Sequence, residues 1–304
     1  MKAVLSPRSG PPEVLQYTEI NKPQPKPHEI LIKVNYASVT SGDVKLRKFN
    51  RAFLTVVGLL AGFKPMKIPG VEYAGVIEEV GSQVTSFSQG EAICGTTTGL
   101  RFGANAEYVC VPDNPKIGII TRKPEKIYFK DAACTPVGSM TTMWFLEKAH
   151  LKKGDHILVY GASGSVGTFA VQLAKHSGAK VTAVCNTANV ELMQSLGADK
   201  VIDYKKENLA ETGQKYDIIF DAVGKTSKSK IAKCLAESGK FVTVKNPTKE
   251  KVEVFEYILK LIESGEVKPV IDREYTLEQI VEAHRYVDSG HKKGNVAIQV
   301  AGYE

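Results

Sequence analysis

A glycine-punctuated junction between an apolar run and an amphipathic stretch limits this chain to few folds. His156-Ile157-Leu158-Val159-Tyr160 reads as a buried strand, and Thr168-Phe169-Ala170-Val171-Gln172-Leu173-Ala174-Lys175 carries apolar residues at helical spacing. Between them stands Gly161-Ala162-Ser163-Gly164-Ser165-Val166-Gly167. Glycines at 161, 164 and 167 in a strand–turn–helix setting suit a dinucleotide pyrophosphate. The turn needs a residue free of Cβ clash, a backbone must approach the phosphates, and the helix must pack tightly on the strand while its free N–H groups face the anion. The triplet alone makes only a tight turn; the flanking strand and helix point to a nucleotide.

The pattern downstream alternates strand and helix. Strands are expected at 156–160, 180–184, 200–202, 217–220 and 240–244, with helices at about 189–196 and 226–237. This βαβ rhythm predicts a doubly wound parallel sheet of five strands. A further helix at 252–264 places Phe255, Ile258, Leu259 and Ile262 on one face. Upstream, short strands at 2–5, 29–34, 92–94 and 106–111, with a glycine-punctuated strand within 68–81, predict an irregular antiparallel or barrel-like domain. Residues 39–47 read as a turn entering a short helix, with Asp43 as its candidate cap. The tail holds a helix at 277–289 and a strand at 295–300.

Composition bounds the function class. At 304 residues, 43% hydrophobic and 24% charged, the chain is an ordinary globular protein long enough for two domains. A net charge of +7 is modest. The cluster Lys225, Lys228, Lys230 and Lys233 reads as a solvated helix face, and no nucleic-acid motif accompanies it. The most apolar run, 52–63, is too short to span a bilayer and reads as buried or substrate-facing. No signal peptide is read. Cys94, Cys110, Cys134, Cys185 and Cys234 form no Cys-x-x-Cys pair, which suits free thiols in a reducing, cytoplasmic setting.

Four stretches in this order resemble the medium-chain dehydrogenase/reductase superfamily, in its zinc-independent quinone oxidoreductase and enone reductase branch. They are 39–47, 69–81, Thr135-Pro136-Val137-Gly138-Ser139-Met140-Thr141-Thr142, and 161–167. The resemblance implies an α/β fold in which a Rossmann-type nucleotide-binding domain (123–266) is inserted into a GroES-like β-barrel domain (1–122 plus 267–304), with the active site in the cleft. Zinc-using members carry ligands where this chain has Thr40, Val71 and Val137, so no metal is expected. Cys134 and the histidines at 28, 150, 156, 176, 284 and 291 show no ligand spacing.

Without a metal, hydride still adds to a quinone or to the β-carbon of a conjugated carbonyl when the developing oxyanion is stabilised or protonated. The resemblance implies Lys45 as the donor, with Thr40 and Asn105 lining the same site; Tyr36 and Tyr108 are weaker candidates. The residues themselves leave that choice open. NADPH is expected over NADH. The second strand ends in Cys185-Asn186-Thr187-Ala188 with no carboxylate to repel a 2′-phosphate. Asn186 and Thr187 offer donors, Tyr204 matches a family phosphate contact, and Lys180 and Lys205 add charge. Many relatives place Arg or Lys where Ala188 stands. The family pattern assigns Ser163, Gly164, Ser165 and Val166 to the pyrophosphate, and Thr141, Val223, Gly224 and Asn295 to the nicotinamide. The expected activity is an NADPH-dependent reductase of small hydrophobic quinones or enones; the alternative is a non-catalytic NADPH-binding redox sensor or accessory protein. Only 245–251 remain where relatives carry another edge strand, so a monomer or a homodimer is expected.

Overall fold

The structure, a computed structural model, describes residues 1–49, 56, 67–98 and 102–301. The apolar run at 52–63 lies outside the described residues, Val56 apart. The chain divides into two compact units, Met1–Pro136 with Ile271–Glu304, and Val137–Val270.

In the first unit β1 (Lys2–Leu5) and β2 (Gln16–Glu19) form an antiparallel ribbon. The spine is β3 (Glu29–Ser38), which leads through Val39 and Thr40 into α1 (Ser41–Lys48). β4 (Glu72–Val80), β5 (Ala92–Thr96), β6 (Tyr108–Pro112) and β7 (Ile119–Arg122) follow, then the short α2 (Phe129–Ala133). One edge of β3 carries β4. Its other edge is shared, β6 taking the first half and the C-terminal strand the second. Ile30, Ile32 and Val34 recur with the period of a strand and enter one buried cluster with Tyr73, Ile77, Ile93 and Val109.

The second unit begins with α3 (Pro136–Ala149) and β8 (His156–Tyr160), then α4 (Ser165–His176), β9 (Lys180–Cys185), α5 (Val190–Ser195) and β10 (Lys200–Asp203). β11 (Tyr216–Asp221), α6 (Lys228–Ile231), β12 (Leu235–Thr243) and α7 (Val252–Glu263) complete it. The five strands are parallel in the order β10-β9-β8-β11-β12, as the sequence periodicity predicts. Strand order reverses between β8 and β11, and the carboxyl ends beside that switch point are where such sheets bind ligands. Phe169, Val171 and Leu173 of α4 are buried with Ile157 and Val159 of β8 in the main core of this unit. On α7, Phe255, Ile258 and Leu259 are buried while Glu253, Glu256 and Lys260 are exposed.

The tail returns to the first unit as β13 (Ile271–Thr276), α8 (Ile280–Asp288) and β14 (Asn295–Gln299). The seven-stranded sheet runs β13-β14-β3-β4-β5-β7 with β6 on β3. Among the described residues no pairing joins β7 to β13, so the sheet of the first unit is an open path rather than the closed barrel that the resemblance implies. Register shifts within the β3–β4 pairing mark its irregularities.

Two expectations need revision, and three strands were not expected. The helix expected at 226–237 stops at Ile231, with one tighter turn to Cys234, and Leu235 is already paired with Tyr216. Of its apolar residues only Ile231 and Cys234 are buried, and lysines at 228, 230 and 233 leave too little apolar face for three turns. Asp43 is not the cap residue of α1: Thr40 is, and Asp43 closes the box from the third helical position. Strands β2, β7 and β13 lack the alternation that would announce them; β1, β5 and β14 recruit them as neighbours. Among the described residues, no helix is long and apolar enough to cross a membrane.

Candidate active site

The turn after β8 is built by its own backbone. The amides of Gly161 and Ala162 both donate to the carbonyl of Val184 on β9, at 3.1 and 3.0 Å, and Gly164 donates back to Gly161 at 3.3 Å. Gly161 has φ +78°, and a Cβ on it would lie 2.4 Å from Val223 Cγ1. A Cβ on Gly167 would lie 2.4 Å from the carbonyl oxygen of Gly161, so α4 can sit this close to the turn only with glycine there. Gly164 differs: a Cβ on it meets nothing nearer than 3.7 Å. The glycine at 164 therefore leaves open space on the ligand side of the turn. Gly164 caps α4 without any side-chain hydrogen bond, which leaves the first-turn amides of Val166 and Gly167 directed outward from the helix start. Ser163 is half-buried beside them. Thr142 ties α3 to this end of α4: its hydroxyl, with one proton to give, lies 3.0 Å from the Gly138 carbonyl and 2.9 Å from that of Val166, and its neighbour Thr141 is half-buried.

A solvent-open hollow of about 420 Å³ lies at the carboxyl ends of β8, β9 and β10, lined by Tyr160, Val184, Tyr204, Lys205 and Lys206 among others. Tyr204 is exposed and its backbone amide is held by Cys185 at 3.1 Å. Asn186 sits beside the end of β9 with its Oδ1 shielded from solvent and unpartnered among the described residues. Thr187 behaves differently from the expectation. Its hydroxyl donates to Asp203 at 2.6 Å, and that bond holds the Asp203 carboxyl below its ordinary range. The single Thr187 proton is thus committed within the protein. Lys180 opens β9 at the amino end of the sheet, opposite to the end that carries Tyr204, so the charge expected of it belongs elsewhere. Lys206, which sequence reasoning did not single out, lines the hollow beside Lys205.

In the first unit, Thr40 donates to Asp43 Oδ2 at 2.5 Å and accepts from the Asp43 amide at 3.1 Å. Burial pushes the Asp43 carboxyl up, against the opposing pull of Thr40 and of the Gly70 amide. Gly70, at φ +99°, packs directly on Asn105: a Cβ there would be 2.6 Å from Asn105 Oδ1. Asn105 is fully buried, and neither its Oδ1 nor its Nδ2 has a partner among the described residues. Its backbone is pinned on both sides, donating to Pro69 and accepting from Val4. Thr40, Asp43, Gly70 and Asn105 thus form one connected group. Lys45 is exposed on the same helix and takes no part in it. Tyr36 donates to Glu274 at 2.9 Å, and Tyr108 lies beneath the Lys22 ammonium, so both are engaged in packing. Asn295 is buried at the start of β14. Val71 is buried, and Val137 is the second residue of α3. No group of three His, Cys, Asp or Glu suited to a metal occurs among the described residues. Burial raises the thiols of Cys94 and Cys110 to about 12 and of Cys185 to about 11, which makes them inert at neutral pH.

Sequence reasoning also passed over Asp221, the last residue of β11, whose carboxylate gathers the amides of the following loop. The signal available was an acidic residue closing a buried strand directly before Ala222-Val223-Gly224.

Comparison with known proteins adds the following. Residues 26–119 match the model of the alcohol dehydrogenase GroES-like domain, and residues 165–268 and 247–298 match two models described as zinc-binding dehydrogenase. The chain is 33% identical over 298 residues to a 2-methylene-furan-3-one reductase of Solanum lycopersicum, covering 91% of this chain and 73% of that protein. It is 32% identical over 321 residues to a chloroplastic NADPH-dependent alkenal/one oxidoreductase of Arabidopsis thaliana, covering 98% and 79%. The structure of the quinone oxidoreductase from Coxiella burnetii superposes with a TM-score of 0.84 at 26% identity, covering 99% of both chains.

Proposed function

The chain belongs to the medium-chain dehydrogenase/reductase superfamily, in its quinone oxidoreductase branch, and we propose that it is a zinc-independent, NADPH-dependent reductase of quinones or α,β-unsaturated carbonyls. The observation that carries the cofactor reading is the uncapped start of α4 with open space over Gly164, next to a hollow lined by Tyr204, Lys205 and Lys206. Those features fit a dinucleotide. The first-turn amides of Val166 and Gly167 would hold its pyrophosphate, with Ser163, Gly164 and Ser165 beside it. Asn186, Tyr204 and the two lysines would hold a 2′-phosphate, while Thr187 supports the site through Asp203. Thr141, Val223 and Gly224 would meet the nicotinamide.

When bound, the cofactor supplies a hydride. The chain then has to stabilise the oxyanion that forms and to deliver a proton. Asn105 is suited to the first task. Its buried Nδ2 is a donor with no protein acceptor among the described residues, held rigidly by backbone bonds on both sides. Thr40 is held by Asp43 at the start of α1. Lys45, exposed on the helix that Thr40 caps and outside the group of Thr40, Asp43, Gly70 and Asn105, is the proposed proton donor from the solvent side. Zinc is not required by this reading, because Thr40, Val71 and Val137 offer neither thiolate, imidazole nor carboxylate. The five free cysteines suit a reducing compartment such as the cytoplasm.

The test is NADPH oxidation with 1,4-benzoquinone, 9,10-phenanthrenequinone and a simple enone, run beside NADH and after EDTA treatment. Turnover that prefers NADPH and survives EDTA is the expected result. Tight NADPH binding with no turnover on any acceptor would overturn the reductase reading.

A further inference from the structure

Asp221 is fully buried at the end of β11, and five donors converge on its carboxylate. The backbone amides of Val223, Gly224 and Lys225 reach Oδ1 at 3.3, 2.9 and 3.3 Å. The amide of Thr226 and the hydroxyl of Thr243 reach Oδ2 at 3.1 and 3.2 Å. Four consecutive N–H groups therefore aim at one anion.

This has a stereochemical result. Within a planar trans peptide the N–H of one residue and the carbonyl of the residue before it point in opposite directions. Turning the amides of Gly224 and Lys225 toward Asp221 turns the carbonyl oxygens of Val223 and Gly224 away from it. No N–H or O–H among the described residues donates to either oxygen. Two unclaimed acceptors thus stand side by side at the carboxyl edge of the parallel sheet, beside the switch point between β8 and β11. Their placement is registered against the glycine turn, because the Val223 side chain lies directly over Gly161, where a Cβ would come within 2.4 Å of it.

We propose that Asp221 is a positioning residue that aims the carbonyls of Val223 and Gly224 at a primary amide, the carboxamide of the nicotinamide ring. The proposal rests on the cofactor reading above. A primary amide brings two N–H donors to two acceptors; a methyl ketone in the same place brings none. Asp221→Asn keeps the size of the side chain but sets an NH₂ against backbone N–H groups, so the loop loses its anchor.

The experiment measures binding of NADPH, of its 3-acetylpyridine analogue, and of 2′,5′-ADP to the wild type and to Asp221→Asn, with a thermal melt of each. The wild type is expected to prefer NADPH over the acetylpyridine analogue by about tenfold or more. In Asp221→Asn that preference collapses and NADPH binds about tenfold more weakly, while 2′,5′-ADP binds within about twofold of wild type. A variant that keeps its preference, or that weakens all three ligands alike, overturns the proposal. Should Asp221→Asn not fold, Val223→Ala carries the same test by removing the contact over Gly161: the preference must fall with 2′,5′-ADP binding unchanged, and an intact preference overturns the proposal. A wild type that binds neither 2′,5′-ADP nor NADPH would instead overturn the cofactor reading itself.

Discussion

Gly164 and Gly167 lie one helical turn apart, yet a methyl group added to each meets opposite surroundings. At 167 it collides with the Gly161 carbonyl at 2.4 Å, whereas at 164 it enters open space. Gly167→Ala is therefore expected to cost about 1–3 kcal/mol of stability, the usual penalty of overpacking, seen as a lower melting temperature. Gly164→Ala should melt like wild type but bind NADPH at least about tenfold more weakly, because the added methyl occupies phosphate space. Asn105 gives a second contrast. Each buried polar atom left unpaired costs about 1–3 kcal/mol, so the similarly sized Asn105→Leu should raise the melting temperature. The same variant should lower kcat by about 10²–10³, the loss typical of a removed oxyanion donor. A variant with normal kcat would remove Asn105 from the site. At this scale the glycine triplet was legible because its steric demands are local. The commitment of Thr187 to Asp203 was not, since nothing near Thr187 in the chain announces a partner on the next strand.

The link between α1 and α8 shows what elements do that residues cannot. Arg47 is buried between them; its Nη1 meets His284 Nδ1 at 2.8 Å, its Nε donates to Gly10 at 3.1 Å, and its Nη2 pairs with Asp288. Arginine only donates, so His284 Nδ1 accepts and the ring proton stands on Nε2. Burial first, and the Arg47 charge second, push the His284 pKa down to about 3. An unfolded histidine titrates near 6.5, so between about pH 6.5 and 3 the unfolded chain binds a proton that the native one refuses. Stability is thus full above that window and falls as the pH drops through it, by up to a few kcal/mol. Burial raises the Asp288 carboxyl, but Lys48 and Arg47 outweigh it and hold it low, which extends the acid limb further down. His284→Gln keeps an acceptor for Arg47 and has no proton to gain; urea melts between about pH 7 and 4.5 should show a flatter profile than wild type. An equal slope would take His284 out of the acid limb. Helices and strands with strong periodicity, such as α4, α7 and β3, were legible in the sequence. The lysine-rich stretch at 228–233 was not, because its few apolar residues fit a short helix as well as a long one.

For the molecule as a whole, cofactor binding and folding are linked. Free NADPH at a hundred times its Kd should raise unfolding free energy by about 2.7 kcal/mol, and a thermal melt that fails to move would contradict a site on the folded protein. The net charge of +7 should make that affinity fall with added salt, most visibly for Lys205→Ala and Lys206→Ala compared at low ionic strength. The sequence by itself determined the five-stranded parallel sheet, the glycine turn at its carboxyl end and the largely antiparallel pairing of the first unit. Each is encoded in hydrophobic period and turn residues within a dozen positions of one another. Only the tertiary structure decided that, among the described residues, the seven-stranded sheet remains an open path. It also decided that Asn105 is buried against Gly70 without a side-chain partner among the described residues, and that Asp221 turns the loop after β11. Those outcomes depend on which distant segments pack together, and a side chain's unmet or oversupplied hydrogen bonds exist only once that packing has excluded water.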